Sequence, residues 1–582
     1  MYSSLRNVQI LVALLKEYNI DTVVISPGNS HNAIVRSLEN DSYFKTYNIV
    51  DERSAAFFAV GLMEELKRPV AVCCTSGTAV SNYLSGVTEA SRRNLPLVVI
   101  TGDKNPYYLG QYEDQVIDEI SMFKGVVKYS CQLPIVRDDK DEWYCGRVIN
   151  EALLELNHHG KGPVQIDVPI EKGMLAIGKD FNTETLPKVR VINRLDMLSD
   201  NEKWQEKFAE LKNKKVMLIC GQDDHITTDE MQMIQKLAEK NKFVFAADII
   251  SNLHGQGVFN ITGIAKKFSN SIEPIMPEVV ISFAGNTALD FKFRLKNYPN
   301  IHWIVNEDGR VADPYKNLEL VIEATTEDFL RKLCEFAPKA NGDYYDFIES
   351  ACNNLKIPEI EYSNLYAVSK VMKEIPAGSN LHIANSTAIR IAQYFELDET
   401  VQVYCNRGVN GIDGCMSSFV GHAAATDKLS YLVIGDLSFF YDMNALWNRY
   451  IGNNIRILLS NNGGAALFHF NQGLTNYPTL NENVAAEHFA TAKGWAESQG
   501  LCYLSARDKS EFDNNFEKFM TKESDKPIIF EVFTQKEKDA QIQRDFYDKI
   551  TDKNAEEQFK SGAKKMIKSL LGDDIIRKLK GN

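Results

Sequence analysis

Asp436 and Asn462 head the residues whose types and spacing could carry chemistry. In Ile434-Gly-Asp-Leu-Ser-Phe-Phe-Tyr-Asp-Met-Asn444, a β-rich run ends at Gly435-Asp436, and Leu437 and Ser438 then open a helix. A carboxylate at the end of a strand and the start of a helix suits Mg²⁺ held against a diphosphate. Twenty-six residues on, Leu459-Ser-Asn-Asn-Gly-Gly464 forms the next strand-to-loop junction. There an Asn amide oxygen and a carbonyl in a Gly-rich turn supply the hard oxygen ligands that Mg²⁺ takes. Separately, the halves read as an N-cap Asp and an Asn-Gly turn. Together, at successive strand ends, they read as a diphosphate–metal site.

A second carboxylate, Glu52, lies in Val50-Asp-Glu-Arg-Ser-Ala-Ala-Phe-Phe-Ala59, after the β-rich run 47–50. From the residues alone it is an acid in a helix's first turn. Thr75-Ser-Gly-Thr-Ala79 similarly reads as a tight turn and helix start.

These residues need a scaffold that gathers strand ends, and the hydropathy pattern supplies one. In block one (1–185), short β-rich runs at 21–26, 69–74, 96–101 and 163–168 alternate with amphipathic stretches such as 8–17, 55–66 and 79–92. Continuous apolar strands between helices indicate a parallel sheet covered on both faces. Its ligands bind beyond the strands' carboxyl ends. Block two (186–350) has runs at 216–220, 243–250, 279–284 and 301–305, without an acid/base constellation. Block three (351–535) has runs at 381–384, 401–405, 430–434, 455–460 and 527–532. The fold class is α/β, with three doubly wound parallel-sheet domains, the first and third being versions of one architecture. Residues 536–582 are dense in charge and read as a solvated helical extension.

The chain has 582 residues, room for about three or four domains. Its net charge of −13 lacks the basic surplus of a nucleic-acid binder. No apolar run approaches the ~20 residues of a membrane span, and the N-terminal Met-Tyr-Ser-Ser-Leu-Arg does not read as a signal peptide. Ten scattered cysteines without a C-x-x-C pair fit reduced thiols of a cytoplasmic protein.

The Gly-Asp…Asn-Asn pair resembles the thiamine diphosphate motif. Its Gly-Asp-Leu-Ser start is similar to one branch, the 2-succinyl-5-enolpyruvyl-6-hydroxy-3-cyclohexene-1-carboxylate (SEPHCHC) synthase family of menaquinone biosynthesis. Tyr404-Cys-Asn-Arg-Gly-Val-Asn-Gly-Ile-Asp-Gly414, Asn461-Asn-Gly-Gly-Ala-Ala-Leu-Phe468, the Glu52 segment and the Val305–Pro314 loop extend the resemblance over most of the chain. It implies pyrimidine-binding, central and diphosphate-binding domains, and thiamine diphosphate with Mg²⁺ or Mn²⁺. It further implies that Asp436, Asn462 (Asn461 if the register slips) and the Gly464 carbonyl bind the metal. Thr75, Ser76, Gly77, Gly411, Ile412, Gly435, Leu437 and Ser438 would then line the cofactor. Glu52 would protonate the aminopyrimidine ring and so activate the cofactor. The resemblance also implies a homodimer or dimer of dimers, each cofactor lying between one subunit's first domain and its partner's third.

The family decarboxylates 2-oxoglutarate and transfers the acyl carbanion equivalent to isochorismate, two polyanions. Its usual loop arginine falls on Ser30, beside His31, in Pro27-Gly-Asn-Ser-His-Asn-Ala33, and a second becomes Lys104. The central domain's basic pair is not evident in Asn286–Lys292. Gln115, Ser386, Arg390 and Arg407 match the family's substrate residues. Lys cannot reproduce the bidentate pairing of Arg with a carboxylate. Two lost charged hydrogen bonds are worth ~10²–10⁴-fold. These departures favour a changed acceptor or 2-oxo acid over the family reaction. A subunit that has lost catalysis is the further alternative, opposed by the retained Glu52, Asp436 and Asn462. His31 is a substrate contact or a neutral loop histidine, while His422 and His469 read as structural.

Overall fold

The computed structural model describes residues 1–171, 179–222, 226–471, 473–474 and 476–551. The chain divides into two compact units, 1–194 with 311–321, and 195–310 with 322–582.

The first unit carries β1 (Thr22–Ile25), β2 (Lys45–Asn48), β3 (Val70–Thr75), β4 (Leu97–Asp103), β5 (Tyr129–Gln132) and β6 (Val164–Pro169). They form a parallel sheet in the order β2-β1-β3-β4-β6-β5. The central strands β1, β3, β4 and β6 are buried almost throughout, as a sheet covered on both faces requires. Val23, Ile25, Cys73 and Ile100 enter one core with the helix Arg6–Glu17. Val24, Val72, Cys74 and Val99 enter the other, with α1 (Glu52–Leu66) and α2 (Thr78–Arg92). Alternate residues of one strand thus serve opposite faces.

In the second unit, a parallel core runs Val258–Phe259, Val244–Ala247, Val216–Cys220, Val279–Phe283, Ile301–Asn306. A further sheet holds β7 (Asn380–Ile383), β8 (Gln402–Tyr404), β9 (Ser430–Gly435), β10 (Ile455–Asn461), β11 (Cys502–Ala506) and β12 (Ile528–Phe533), in the order β8-β7-β9-β10-β12-β11. Adding six to each label of the first sheet reproduces this order. The first and last sheets therefore share one topology, and each gathers its loops at the carboxyl ends of its strands.

The stretch after 535 departs from the expected solvated extension. Lys536–Ile550 is a helix, α4, whose Phe546 and Ile550 sit in the core with Leu365 and Ile383. The remainder of the extension lies outside the described residues. No helix among the described residues is long and apolar enough to cross a membrane. All ten cysteines are free.

Candidate active site

β9 ends at Gly435, and α3 (Asp436–Tyr441) starts at the next residue. Asp436 is buried, and its carboxylate gathers the next strand's loop. Oδ2 accepts the backbone N–H of Asn462 at 3.0 Å, of Gly463 at 2.8 Å and of Gly464 at 3.1 Å. Oδ1 accepts from Leu437 N–H at 2.7 Å. His488 Nε2 lies 3.3 Å from Asp436 Oδ2, a neighbour that sequence spacing did not reveal. Gly464 adopts φ 142°, and a Cβ there would come within 2.6 Å of the Ala485 carbonyl oxygen, so this turn excludes other residues.

The two asparagines of the motif have opposite fates. Asn461 is buried and turned away, its amide donating to the Ala490 carbonyl at 2.9 Å and to Glu531 at 2.7 Å. Asn462 donates Nδ2 to Asp539 Oδ2 at 3.0 Å, and its Oδ1 is buried with no hydrogen-bond partner among the described residues. A buried amide oxygen without a donor is costly unless something else pairs with it. A hard cation fits. Asp436, Asn462 and the glycine-rich turn thus suit a divalent metal, with Asn462 rather than Asn461 as the amide ligand. Burial pushes Asp539 up to about 6, opposed by hydrogen bonds from Thr534, Asn462 and the Asn364 backbone.

The Gly411–Gly414 loop is tied to this turn, because the Ser438 hydroxyl donates to the Ile412 carbonyl. Asn385 organises the same loop from β7, donating to the carbonyls of Asn406 and Gly411, each at 2.7 Å. It also accepts from Arg407 Nη1 at 3.0 Å. Arg407 is buried, and its Nε has no partner among the described residues. The Asn286 amide donates to the Arg407 carbonyl at 3.0 Å. Burial first, and then the charge of Arg407, holds the Lys292 ammonium below its usual range. The central segment thus does bring a cation towards Arg407, although its sequence showed no basic pair. Arg390 lies half-buried on Thr387–Ala392, after Ser386 at φ 70°. That backbone conformation is rare outside glycine and is often found at functional positions.

In the first unit, Asp51 caps α1 by accepting from Ser54 N–H at 2.9 Å, which sets Glu52 at the first helical position. Glu52 Oε2 accepts from the Asn82 amide of α2 at 3.1 Å. Both line an open groove of about 900 Å³ with Val50, Ser81 and Leu84.

The loop residues expected against substrate are placed differently. Ser30 is buried at the junction of three strand ends. Its hydroxyl donates to the Gly102 carbonyl at 2.6 Å and accepts Ser76 N–H at 2.9 Å, and the Thr75 hydroxyl also reaches it. His31 is fully buried against Gly102, where any added Cβ would lie 2.3 Å from that of His31. Burial pushes its ring down to about 4, with the Ser26 backbone opposing. These two residues are therefore internal to the loop. The buried ring, its pKa lowered by burial, fits the neutral loop histidine of the two readings. The Lys104 ammonium is committed to Glu113 at 2.9 Å and to the Asp114 carbonyl at 2.5 Å. It thereby fastens the loop that carries the exposed Gln115, whose Cα and Cβ lie 3.2 Å from where a Gly77 Cβ would stand.

Gly77 N–H donates to Glu119 Oε1 at 3.0 Å. Glu119, Asp103 and Asp167 form a buried carboxylate cluster beneath this loop, their ligand atoms within 4.8 Å of one another. Burial and then its carboxylate neighbours push Glu119 up to about 9, and the same causes raise Asp103 to about 7. Nothing in the spacing of 103, 119 and 167 announced the cluster. The polar Asp167 inside the apolar strand 163–168 was its one visible signal.

Residues 6–122 match the family model described as the thiamine pyrophosphate enzyme, N-terminal TPP binding domain. The chain is 39% identical over 568 residues to the 2-succinyl-5-enolpyruvyl-6-hydroxy-3-cyclohexene-1-carboxylate synthase of Phocaeicola vulgatus, covering 95% of this chain and 100% of that protein. It is 40% identical over 562 residues to the synthase of the same name from Bacteroides fragilis, covering 94% and 100%. With that of Flavobacterium johnsoniae it shares 29% over 562 residues, covering 95% and 100%. Similarity at this level from end to end includes both sheets that present the candidate residues. The chain belongs to the SEPHCHC synthase family of thiamine diphosphate enzymes.

Proposed function

We propose that this chain is itself a SEPHCHC synthase, which decarboxylates 2-oxoglutarate and adds the succinyl unit to isochorismate. The observation that carries the reading is the turn at 461–464. Its orphaned Asn462 oxygen and the Asp436 carboxylate suit the metal of a thiamine diphosphate site, in a chain about 40% identical to named synthases over nearly its whole length. When bound, thiamine diphosphate supplies the electron sink for decarboxylation and carbon–carbon bond formation.

The chain's own residues supply placement and charge. Asp436, Asn462 and the Gly464 carbonyl would hold the metal, and Ser438 and Asn385 fix the 411–412 loop beside them. Glu52 would exchange a proton between its carboxyl oxygen and the pyrimidine ring of the bound cofactor. The partnerless Nε of Arg407, with Arg390 and Lys292, draws the carboxylates of the substrates. Arg390 and Arg407 are the family's own cations, and Lys292 beside Arg407 is set against the loss of the loop arginine at Ser30, so the family reaction is preferred over a changed acceptor. A subunit without catalysis is disfavoured by the same intact groups.

The reading includes a cytoplasmic enzyme that self-associates as a homodimer or dimer of dimers. Glu52 of one copy then serves the cofactor held by the 436–464 turn of another. Val50, Phe57 and Phe58 around Glu52 expose apolar surface that a second copy would cover, and sedimentation should then show no monomer. The direct test is mass spectrometry of the product formed from 2-oxoglutarate and isochorismate with thiamine diphosphate and Mg²⁺. The SEPHCHC mass is expected, and succinic semialdehyde as the sole product would overturn the assignment.

A further inference from the structure

We propose that Asp539 is a positioning residue that sets which end of the Asn462 amide faces the metal. The inference rests on the reading of Asn462 as a metal ligand. Asp539 lies in the first turn of α4, in the charged stretch that reads from sequence as solvated, and it is 1% exposed. Every group bonded to its carboxylate is a donor. Asn364 N–H reaches Oδ1 at 3.1 Å, and the Thr534 hydroxyl and Asn462 Nδ2 reach Oδ2 at 2.6 and 3.0 Å.

An amide can present either its oxygen or its nitrogen, and the two ends have nearly the same shape. A carboxylate only accepts, so it selects the NH₂ end of Asn462. The carbonyl oxygen must then point elsewhere, and it is the atom left buried and unpaired. An NH₂ group turned the other way would offer the metal no lone pair. Asp539 thus pre-orients a ligand that could otherwise flip, as outer partners of metal ligands commonly do. The helix holding Asp539 is itself anchored in the core by Phe546 and Ile550.

The experiment titrates Mn²⁺ into the full-length protein in the presence of thiamine diphosphate, reading bound metal by electron paramagnetic resonance and folding by thermal melting. Asn462→Ala tests the underlying reading, since unchanged Mn²⁺ affinity there would remove Asn462 as a ligand and the inference with it. Asp539→Asn replaces an obligate acceptor with an amide that can hold Asn462 either way round. It should weaken Mn²⁺ binding about 10–100-fold while cofactor-free melting stays close to wild type. The exchanged pair Asn462→Asp with Asp539→Asn restores a donor–acceptor contact with an oxygen still free for the metal. It should recover most of the lost affinity, which a merely structural role for Asp539 would not produce. A folded Asp539→Asn protein with wild-type Mn²⁺ affinity overturns the proposal. So does an exchanged pair that binds no better than Asn462→Ala, a comparison that holds even if the single Asp539 variant does not fold.

Discussion

The Asn82 amide donates to Glu52 Oε2 at 3.1 Å, joining the first turn of α1 to α2. The contact holds the Glu52 side chain at the groove that both residues line. Glu52→Gln keeps an oxygen to accept from Asn82 but has no proton to pass on. Turnover should fall about 10²–10⁴-fold, the usual contribution of a positioned acid or base. Calorimetric affinity for thiamine diphosphate with Mg²⁺ should change only a few-fold. Turnover within a few-fold of wild type would remove Glu52 from the mechanism.

Ser30 offers a sharper test, because sequence comparison and structure disagree about it. An arginine there would restore the family's usual residue. In this fold it would also bury a guanidinium where one hydroxyl now serves Gly102, Ser76 and Thr75. Ser30→Arg should destabilise the protein by on the order of 3 kcal/mol, read by denaturant unfolding, with no gain in KM for isochorismate. A stable variant with a lower KM would return position 30 to the substrate site.

The buried carboxylates under Gly77 make stability depend on pH. Glu119 and Asp103 titrate above ordinary carboxyls because burial and their like-charged neighbours disfavour ionisation. Between about 4.5 and 9 the folded protein therefore holds protons that the unfolded chain has released. Stability is gained below this window and lost as pH rises through it. Glu119→Gln mimics the protonated acid, with its oxygen still free to accept Gly77 N–H. Its melting temperature should fall less than that of wild type between pH 7 and 9, by about 2 °C or more. Parallel curves for the two proteins would contradict the raised titration.

Much of the scaffold was legible because its signal is local. Val216–Cys220 is an unbroken apolar run, and it forms the strand expected, fully buried. Tyr129–Gln132 was missed. Among the described residues it is an edge strand paired to β6 alone and mostly half-buried, so its Tyr-Ser-Cys-Gln sequence needs no apolar run. The turn at 461–464 was legible because Gly and Asn at strand ends are rare enough to stand out together. Asp539 was not, since one acid in Gln535-Lys-Glu-Lys-Asp539 looks like any solvated charge. Only the packing of α4 shows that it is buried against Asn462. The burial of Ser30 and His31 was hidden for a similar reason. Alignment to a family motif gives the register of a loop, whereas the inward turn of its side chains depends on Thr75 and Gly102, which are distant in sequence.

The central claim is that this chain performs the family reaction with its own set of cations. CO₂ release should be measured across a panel of 2-oxo acids, each with and without isochorismate, at saturating thiamine diphosphate and Mg²⁺. 2-Oxoglutarate should be preferred, and isochorismate should accelerate its consumption at least about 10-fold, a difference of about 1.4 kcal/mol. Preference for another 2-oxo acid, or a rate indifferent to isochorismate, would contradict it.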